Sequence, residues 1–365
     1  SRPGASGKNA GSGVTVSHAG NRYTRLMLSR AVFLFLFLAP STAAAQLWAT
    51  PQVTAQNPLL AGFRAKGNTF TRGQATVTLD VVAGQVIGVY ALAPQGDTDA
   101  VARALLTAWG GGNADLAGLT KTLGQPGLQL RARMQGGLRQ SATQDGSDLL
   151  ALHLRGEGAK AQWQAYAAIN IQPPSAFPKT RNVSGKATAP NDLHVLSDFQ
   201  CPYCQKLWNE VLPTWEKDPE TYRVSHLHFP LDFHGNAFLA AEASECAAAQ
   251  GKFWPYADRL FREFRMWTPL PGGEVPKQFT SYARQLKLNP ALFQACLEKH
   301  QFRATVNAQL NAGKKLGVRG TPTVFLNGVK MSDYSSPTEA ARIKSVTTGK
   351  ITALTVVTKR LAQFR

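Results

Sequence analysis

Alternating apolar and polar positions mark the first readable stretch of the chain. In residues 76–92 (TVTLDVVAGQVIGVYAL), Val77, Leu79 and Val81 alternate with other residues. Ala83, Gly84 and Gln85 offer a turn, and the alternation then resumes, which predicts a β-hairpin. The spacing shifts at Asp97 or Thr98, either of which caps a helix through VARALLTAW that Gly110, Gly111 and Gly112 end. Alternation returns at Leu128, Leu130, Ala132 and Met134, again at Leu150, Leu152 and Leu154, and once more between Trp163 and Ile171. These segments predict a ββαβββ-like α+β domain over roughly 55–172, with 46–172 as its outer bounds. It holds no cysteine, one histidine (His153) and no acid pair at a suggestive spacing. It is expected to serve dimerisation or client docking rather than chemistry.

Segments of other character flank this domain. Residues 1–26 are rich in Gly and Ser and carry no acid. From Met27 the pattern sharpens: Arg25 and Arg30 are basic, Ala31–Ala39 form a short apolar run, and Ala43–Ala45 offer a small-residue cleavage site. Residues 1–45 are therefore expected to be a leader and secretory signal peptide, with an uncleaved anchor as the alternative. No apolar run approaches the roughly 18–20 residues of a spanning helix, which argues against a multi-pass membrane protein. Residues 173–191 (PPSAFPKTRNVSGKATAPN) are Pro-rich, then small and polar, and are expected to be a linker. The last segment, 336–365, has six basic and no acidic residues after Glu339 and predicts a terminal basic helix with a solvated face.

Charge changes the picture only slightly. The whole chain has 40 Lys and Arg against 22 Asp and Glu, a net charge of +18. Five of the basic residues lie in 1–45, so the remainder still carries +13. The basic residues are scattered and no aromatic–basic motif accompanies them, so no nucleic-acid partner is expected. Attraction to an anionic envelope or to acidic clients is the simpler use of this charge.

The four cysteines, Cys201, Cys204, Cys246 and Cys296, all lie in the second half. Leu193–Leu196 form a short apolar strand, and Ser197–Gln200 lead from it into Cys201-Pro202-Tyr203-Cys204. Helical spacing follows from Gln205 to Leu212, which places a CxxC at a strand-to-helix junction with Cys201 near the helix N-terminus. Unpaired N–H groups and the positive dipole end stabilise a thiolate there, the nucleophile of disulfide exchange. A structural zinc site would need four ligands, commonly in two close pairs, and no second CxxC exists. No metal is therefore expected. Further on, Gly317–Gly328 (GVRGTPTVFLNG) read as turn, strand and turn, with Pro322 heading the strand.

The CPYC after a strand, GTPTVFLNG about 120 residues later, and the intervening FPL, His234 and AFLAAEASECAAAQGKFWPYADRLF together resemble the bacterial exported thiol–disulfide oxidoreductases of the DsbA-like family. The resemblance spans about 190–335. It implies an α/β thioredoxin-like fold over 192–335 with an inserted helical subdomain at about 235–312, preceded by the smaller α+β domain. It also implies Cys201 as the exposed attacking or attacked sulfur, Cys204 as the buried resolving cysteine, and Pro202 and Tyr203 as the dipeptide that tunes the thiolate. By the same resemblance Pro322 is a cis-proline against the disulfide, and Thr321 offers its backbone to an extended client. The family's usual buried acid, six residues before the first cysteine, is replaced by Val195. Asp198 belongs to the usual lead-in, so the resolving step at Cys204 is expected to depend on water. Cys246 and Cys296 are expected to form a structural disulfide, with free thiols or a second relay pair as alternatives. His234, Trp208, Phe253 and Trp254 are expected to serve packing.

Three functions follow. The first is a thiol–disulfide oxidoreductase, most simply a disulfide donor, acting on exported cysteine-containing proteins in the periplasm or cell envelope. A membrane redox partner reoxidises it, and it needs no cofactor beyond the Cys201–Cys204 disulfide. The second is a dimeric isomerase or reductase, with residues 46–172 as the homodimer interface. The third is a non-enzymatic holdase for exported chains.

Overall fold

The computed structural model describes residues 46–143 and 145–364. The leader and signal peptide expected over 1–45 lie outside the described residues.

The first domain is built on a seven-stranded antiparallel sheet. Its strands are β1 (Arg64–Lys66), β2 (Thr69–Arg72), β3 (Ala75–Val82), β4 (Gln85–Pro94), β5 (Leu138–Ser141), β6 (Asp148–Arg155) and β7 (Gln162–Ile169), in the order β1-β2-β3-β4-β7-β6-β5. The hairpin expected over 76–92 is β3–β4. Four helices belong to this part of the chain: α1 (Pro51–Ala55), α2 (Thr98–Trp109), α3 (Asn113–Leu123) and α4 (Pro126–Ala132). In α2 the Asp97 carboxylate accepts from the Ala100 N–H, and Gly110 ends the helix in the left-handed region.

The strand expected at Leu128–Met134 is instead helix α4. Four alternating apolar residues in seven fit both periods, and burial decides between them. Leu128 and Ala132, four apart, are buried on one helix face, whereas Leu130 and Met134 are 70% and 62% exposed. Pro126 stands in the first turn of this helix, where its missing N–H costs nothing. The domain therefore holds three consecutive helices between β4 and β5 in place of the single helix of a ββαβββ order.

Both faces of this sheet are covered by the chain's own elements. Strand β7 is buried along nearly its whole length, and α2 packs on β4 and β7. On the face bearing Tyr90 and Tyr166, the C-terminal helix α14 (Ala353–Leu361) and the turn after it close the sheet. Phe364 is fully buried there, edge-on to Tyr90, and the Arg360 guanidinium lies over the Tyr90 ring. The same guanidinium makes two hydrogen bonds to buried Asp80. The solvated terminal helix expected over 336–365 is thus two helices, α13 (Pro337–Thr347) and α14. Arg360 faces a carboxylate rather than water.

Residues 173–191 are not a free tether. Phe177 is buried, stacked on His194 and edge-on to Phe325, and Asn182 is fully buried. Val183–Ser184 form β8, which adds to the second sheet. That sheet runs β12-β11-β9-β10-β8, with β9 (Asn191–Ser197), β10 (Tyr222–His228), β11 (Thr323–Leu326) and β12 (Val329–Lys330). Strands β9 and β10 are parallel and the other pairs antiparallel.

The two sheets meet at the Gln172 backbone, whose N–H donates to the Gly328 carbonyl at 2.8 Å. Gly328 has φ +84°, and a Cβ there would stand 2.1 Å from the Gln172 carbonyl oxygen. Only glycine allows that approach.

The active-site helix starts at α5 (Pro202–Lys206), passes through a π stretch at Leu207–Val211 and continues as α6 (Leu212–Glu216). Pro213 lacks the N–H that an α-helix would direct to Asn209, which accounts for the widened turn. Between β10 and β11 lie α7 (Ala237–Ala248), α8 (Phe253–Arg262), α9 (Phe264–Trp267), α10 (Val275–Gln285), α11 (Pro290–Glu298) and α12 (Arg303–Lys315). A disulfide joins Cys246 on α7 to Cys296 on α11.

Candidate active site

Strand β9 delivers the site. It ends at Ser197, and Asp198 turns the chain so that the Cys201 N–H donates to the Asp198 carbonyl. Cys201 then takes extended backbone angles at the N-cap of α5, with Pro202 in the first turn. Cys204, one turn on, is 1% exposed and points inward. On the other side, β11 brings Thr321 and Pro322 beside the sulfur. The Thr321–Pro322 peptide is cis, and the Cys201 thiol donates to the Thr321 carbonyl at 3.3 Å.

Electrostatics separate the two thiols. The Cys201 pKa is lowered to about 6, chiefly by a hydrogen bond from the Cys204 thiol, with help from the Thr321 side chain and the backbone N–H groups of Cys204 and Tyr203. Burial opposes this shift without cancelling it. The Cys204 thiol is pushed well up, first by burial and then by its neighbour Cys201. The Asp198 N–H donates to the Cys204 sulfur at 3.4 Å. One sulfur is thus held ready as thiolate and the other as thiol, the pairing that thiol–disulfide exchange requires.

The turn before Cys201 is anchored from behind. Asp198 is 1% exposed, and its carboxylate accepts from the N–H groups of Gln200 (2.7 Å) and Leu231 (2.9 Å) and from His234 Nδ1 (2.7 Å). Gln200 in turn accepts from the Asn236 N–H and donates to the Thr268 carbonyl. These bonds join the active-site turn to the helical insertion.

Residues 178–343 match the family model described as thioredoxin. The Na(+)/H(+) antiporter NhaA 3 of Salinispora tropica is 33% identical over 155 residues, 41% of this chain and 22% of that protein. Disulfide bond formation protein D of Bacillus subtilis is 26% identical over 166 residues, 43% of this chain and 72% of that protein. Among solved structures, oxidised BdbD of Bacillus subtilis is 23% identical, covering 53% of this chain and 97% of that one with a TM-score of 0.39. The chain thus spans between about a fifth and a half of the length of the antiporters that it matches. Residues 178–343 form a thioredoxin-like domain.

Within this thioredoxin-like domain the sequence-derived residues fall at one place, apart from the Cys246–Cys296 disulfide, which lies in the helical insertion. Cys201, Cys204, Thr321 and Pro322 converge, and Tyr203 stands 69% exposed beside them. Two expectations need correction. Cys201, expected to be exposed, shows only 4% of its surface, because the Thr321–Pro322 turn lies against it. His234, expected to pack at a helix start, is hydrogen-bonded to the Asp198 carboxylate behind the active-site turn. Trp208 and Phe253 are buried and Trp254 is half-buried, stacked on Trp208.

Sequence reasoning missed one neighbour of the site. Val195, 3% exposed on β9, stands in parallel register with His226 on β10. His226 is fully buried among Phe199, Trp208 and Phe253. Burial first, and then His228, push its pKa well down, so it is held neutral. The only trace in the sequence is the alternation of His226 and His228 with apolar neighbours before Phe229-Pro230. Among the described residues no cluster of three or more His, Cys, Asp or Glu is placed to hold a metal ion. No helix of the described residues is long and apolar enough to cross a membrane.

Proposed function

We propose that the protein donates disulfides to exported proteins that carry cysteines. The observation that carries this reading is the split between the two thiols, Cys201 lowered to about 6 and Cys204 raised. A thiolate that is stable at neutral pH stabilises the reduced form of the enzyme and makes its disulfide oxidising. In the forward reaction a client thiolate attacks Cys201 Sγ, the Cys201–Cys204 bond breaks, and Cys204 leaves as a thiolate that takes up a proton. A second client thiolate then attacks the client sulfur of the mixed disulfide. Cys201 leaves as its stabilised thiolate, and the client disulfide is complete. Two electrons pass from client to enzyme. A membrane redox partner accepts them and restores the enzyme disulfide. The Cys201–Cys204 pair is the only redox group that this cycle uses.

The test is the equilibrium potential of the Cys201–Cys204 pair against glutathione, with Cys246 and Cys296 intact. A value near −120 to −180 mV, the range of known oxidants and isomerases, supports donation. A value near −270 mV, that of thioredoxin, would make the protein a reductase instead.

A further inference from the structure

A groove of about 390 Å³ runs from the active site to the first domain. At one end Thr321, Pro322 and Tyr334 line it. Tyr334 lies close enough to Cys201 and Cys204 for their charge to act on its phenol, whose pKa is raised first by burial. At the other end stand Arg319, Lys330 and, from the first domain, Asp145. This far wall is therefore shared, with Arg319 and Lys330 from the thioredoxin-like domain and Asp145 from the first domain.

At that end two cations, Arg319 and Lys330, stand against one carboxylate, Asp145. The Asp145 carboxylate also accepts from the N–H and hydroxyl of Ser147. The Lys330 ammonium, half-buried, donates to the Asp145 backbone carbonyl, and burial and nearby Arg319 both lower its pKa, while Asp145 raises it. Two cations thus share one carboxylate, whose attraction on Lys330 outweighs the repulsion from Arg319, and the end keeps one positive charge in excess. Arg319 is exposed and makes no ion pair among the described residues.

We propose that this groove seats a client segment carrying a carboxylate side chain near its reactive cysteine, with Arg319 as the residue that selects it. The proposal rests on the disulfide-exchange reading and deepens it. An extended peptide whose cysteine lies at Cys201 passes over Thr321 and Pro322, and its next side chains on one side reach the cationic end. The first domain acts here as a wall that positions Lys330 through the Asp145 carbonyl. An acidic residue at that place pairs with the excess charge of Arg319, whereas a basic one is repelled by it.

The test uses full-length oxidised protein and fluorescent ten-residue peptides with one reduced cysteine. A single Glu, or its isostere Gln, is moved from four residues before the cysteine to four after it. The readout is the ratio of exchange rates, Glu over Gln, at each position. The same peptides with Ser for Cys give a binding ratio by fluorescence anisotropy that needs no exchange. At one or two positions on the same side of the cysteine both ratios are expected to reach about threefold to fivefold at low salt, the size of a partly exposed charge pair. They are expected to fall toward one at high salt. Arg319→Gln brings the ratios to one, and Arg319→Glu inverts them in favour of Lys peptides. Ratios of one at every position in the wild type overturn the proposal, as does a Glu preference unchanged in Arg319→Gln. If even neutral peptides fail to exchange, the oxidoreductase reading has failed, and the anisotropy ratios decide the groove alone.

Discussion

Asp198 and His234 share a 2.7 Å hydrogen bond directly behind the turn that presents Cys201. The carboxylate has almost no contact with water and accepts from two backbone N–H groups as well. Its removal would orphan donors on both the active-site turn and the entry to the helical insertion. Asp198→Ala is therefore expected to cost about 3 kcal/mol in urea unfolding. Asp198→Asn, which keeps an acceptor but loses the charge, is expected to cost roughly half of that. A cost below about 0.5 kcal/mol for the alanine variant would show that the turn holds without this anchor.

The split thiols set how the potential depends on pH. Below about 6 both thiols of the reduced enzyme are protonated, and reduction takes up two protons with two electrons. The potential then falls by about 59 mV per pH unit. Above that value Cys201 is a thiolate while Cys204 is still a thiol, one proton accompanies two electrons, and the slope halves to about 30 mV. The sign agrees with linkage: a lowered thiol pKa stabilises the reduced fold fully above the ordinary value of 9.0 and not at all below about 6. A potential titration from pH 4.5 to 8.5 would show the break, and a single slope of 59 mV across that range would contradict the thiolate.

The thioredoxin-like domain was legible because its signals are local. A strand, a CxxC and a helical run follow one another within twenty residues, and the Gly-Thr-Pro-Thr strand is equally compact. The first domain was legible only in part. Leu128–Met134 satisfies both the strand and the helix period over seven residues, and only the burial of Leu128 and Ala132 together decides for the helix. The closure of the sheet by the C-terminal helix leaves no local mark at all, since Asp80 and Arg360 are 280 residues apart. Residues 173–191 misled for a different reason. Composition reports the Pro and Ser of a flexible segment but not that Phe177 and Asn182 find buried partners.

That distant pair makes its own prediction. Asp80 is 7% exposed and its carboxylate is held by two bonds from Arg360. Arg360→Met leaves the carboxylate buried without its cation and is expected to lower stability by about 3 kcal/mol. Limited proteolysis should then cut the chain within α14 faster than in the wild type. Asp80→Asn combined with Arg360→Met removes the stranded charge and is expected to recover at least half of the loss. No recovery in the double variant would mean that Arg360 acts by packing on Tyr90 alone.

Val195 offers the sharpest test of how Cys204 exchanges its proton. The side chain is buried on β9 in register with neutral His226, on the strand face of Ser197, whose side chain bonds Cys204. Protonation of the Cys204 leaving group, and its deprotonation in the resolving step, are therefore expected to run through water. Val195→Glu would place an acid there. Its burial raises its own pKa toward the working range of a proton carrier, at a cost in stability on the order of 2–4 kcal/mol. The decay of a preformed mixed disulfide at Cys201, followed in single turnover, is expected to accelerate about tenfold or more. Val195→Gln has similar bulk but no proton to give, so a gain confined to the Glu variant isolates proton transfer from repacking. If the Glu variant folds and its mixed disulfide decays at the wild-type rate, proton transfer at Cys204 does not limit the resolving step.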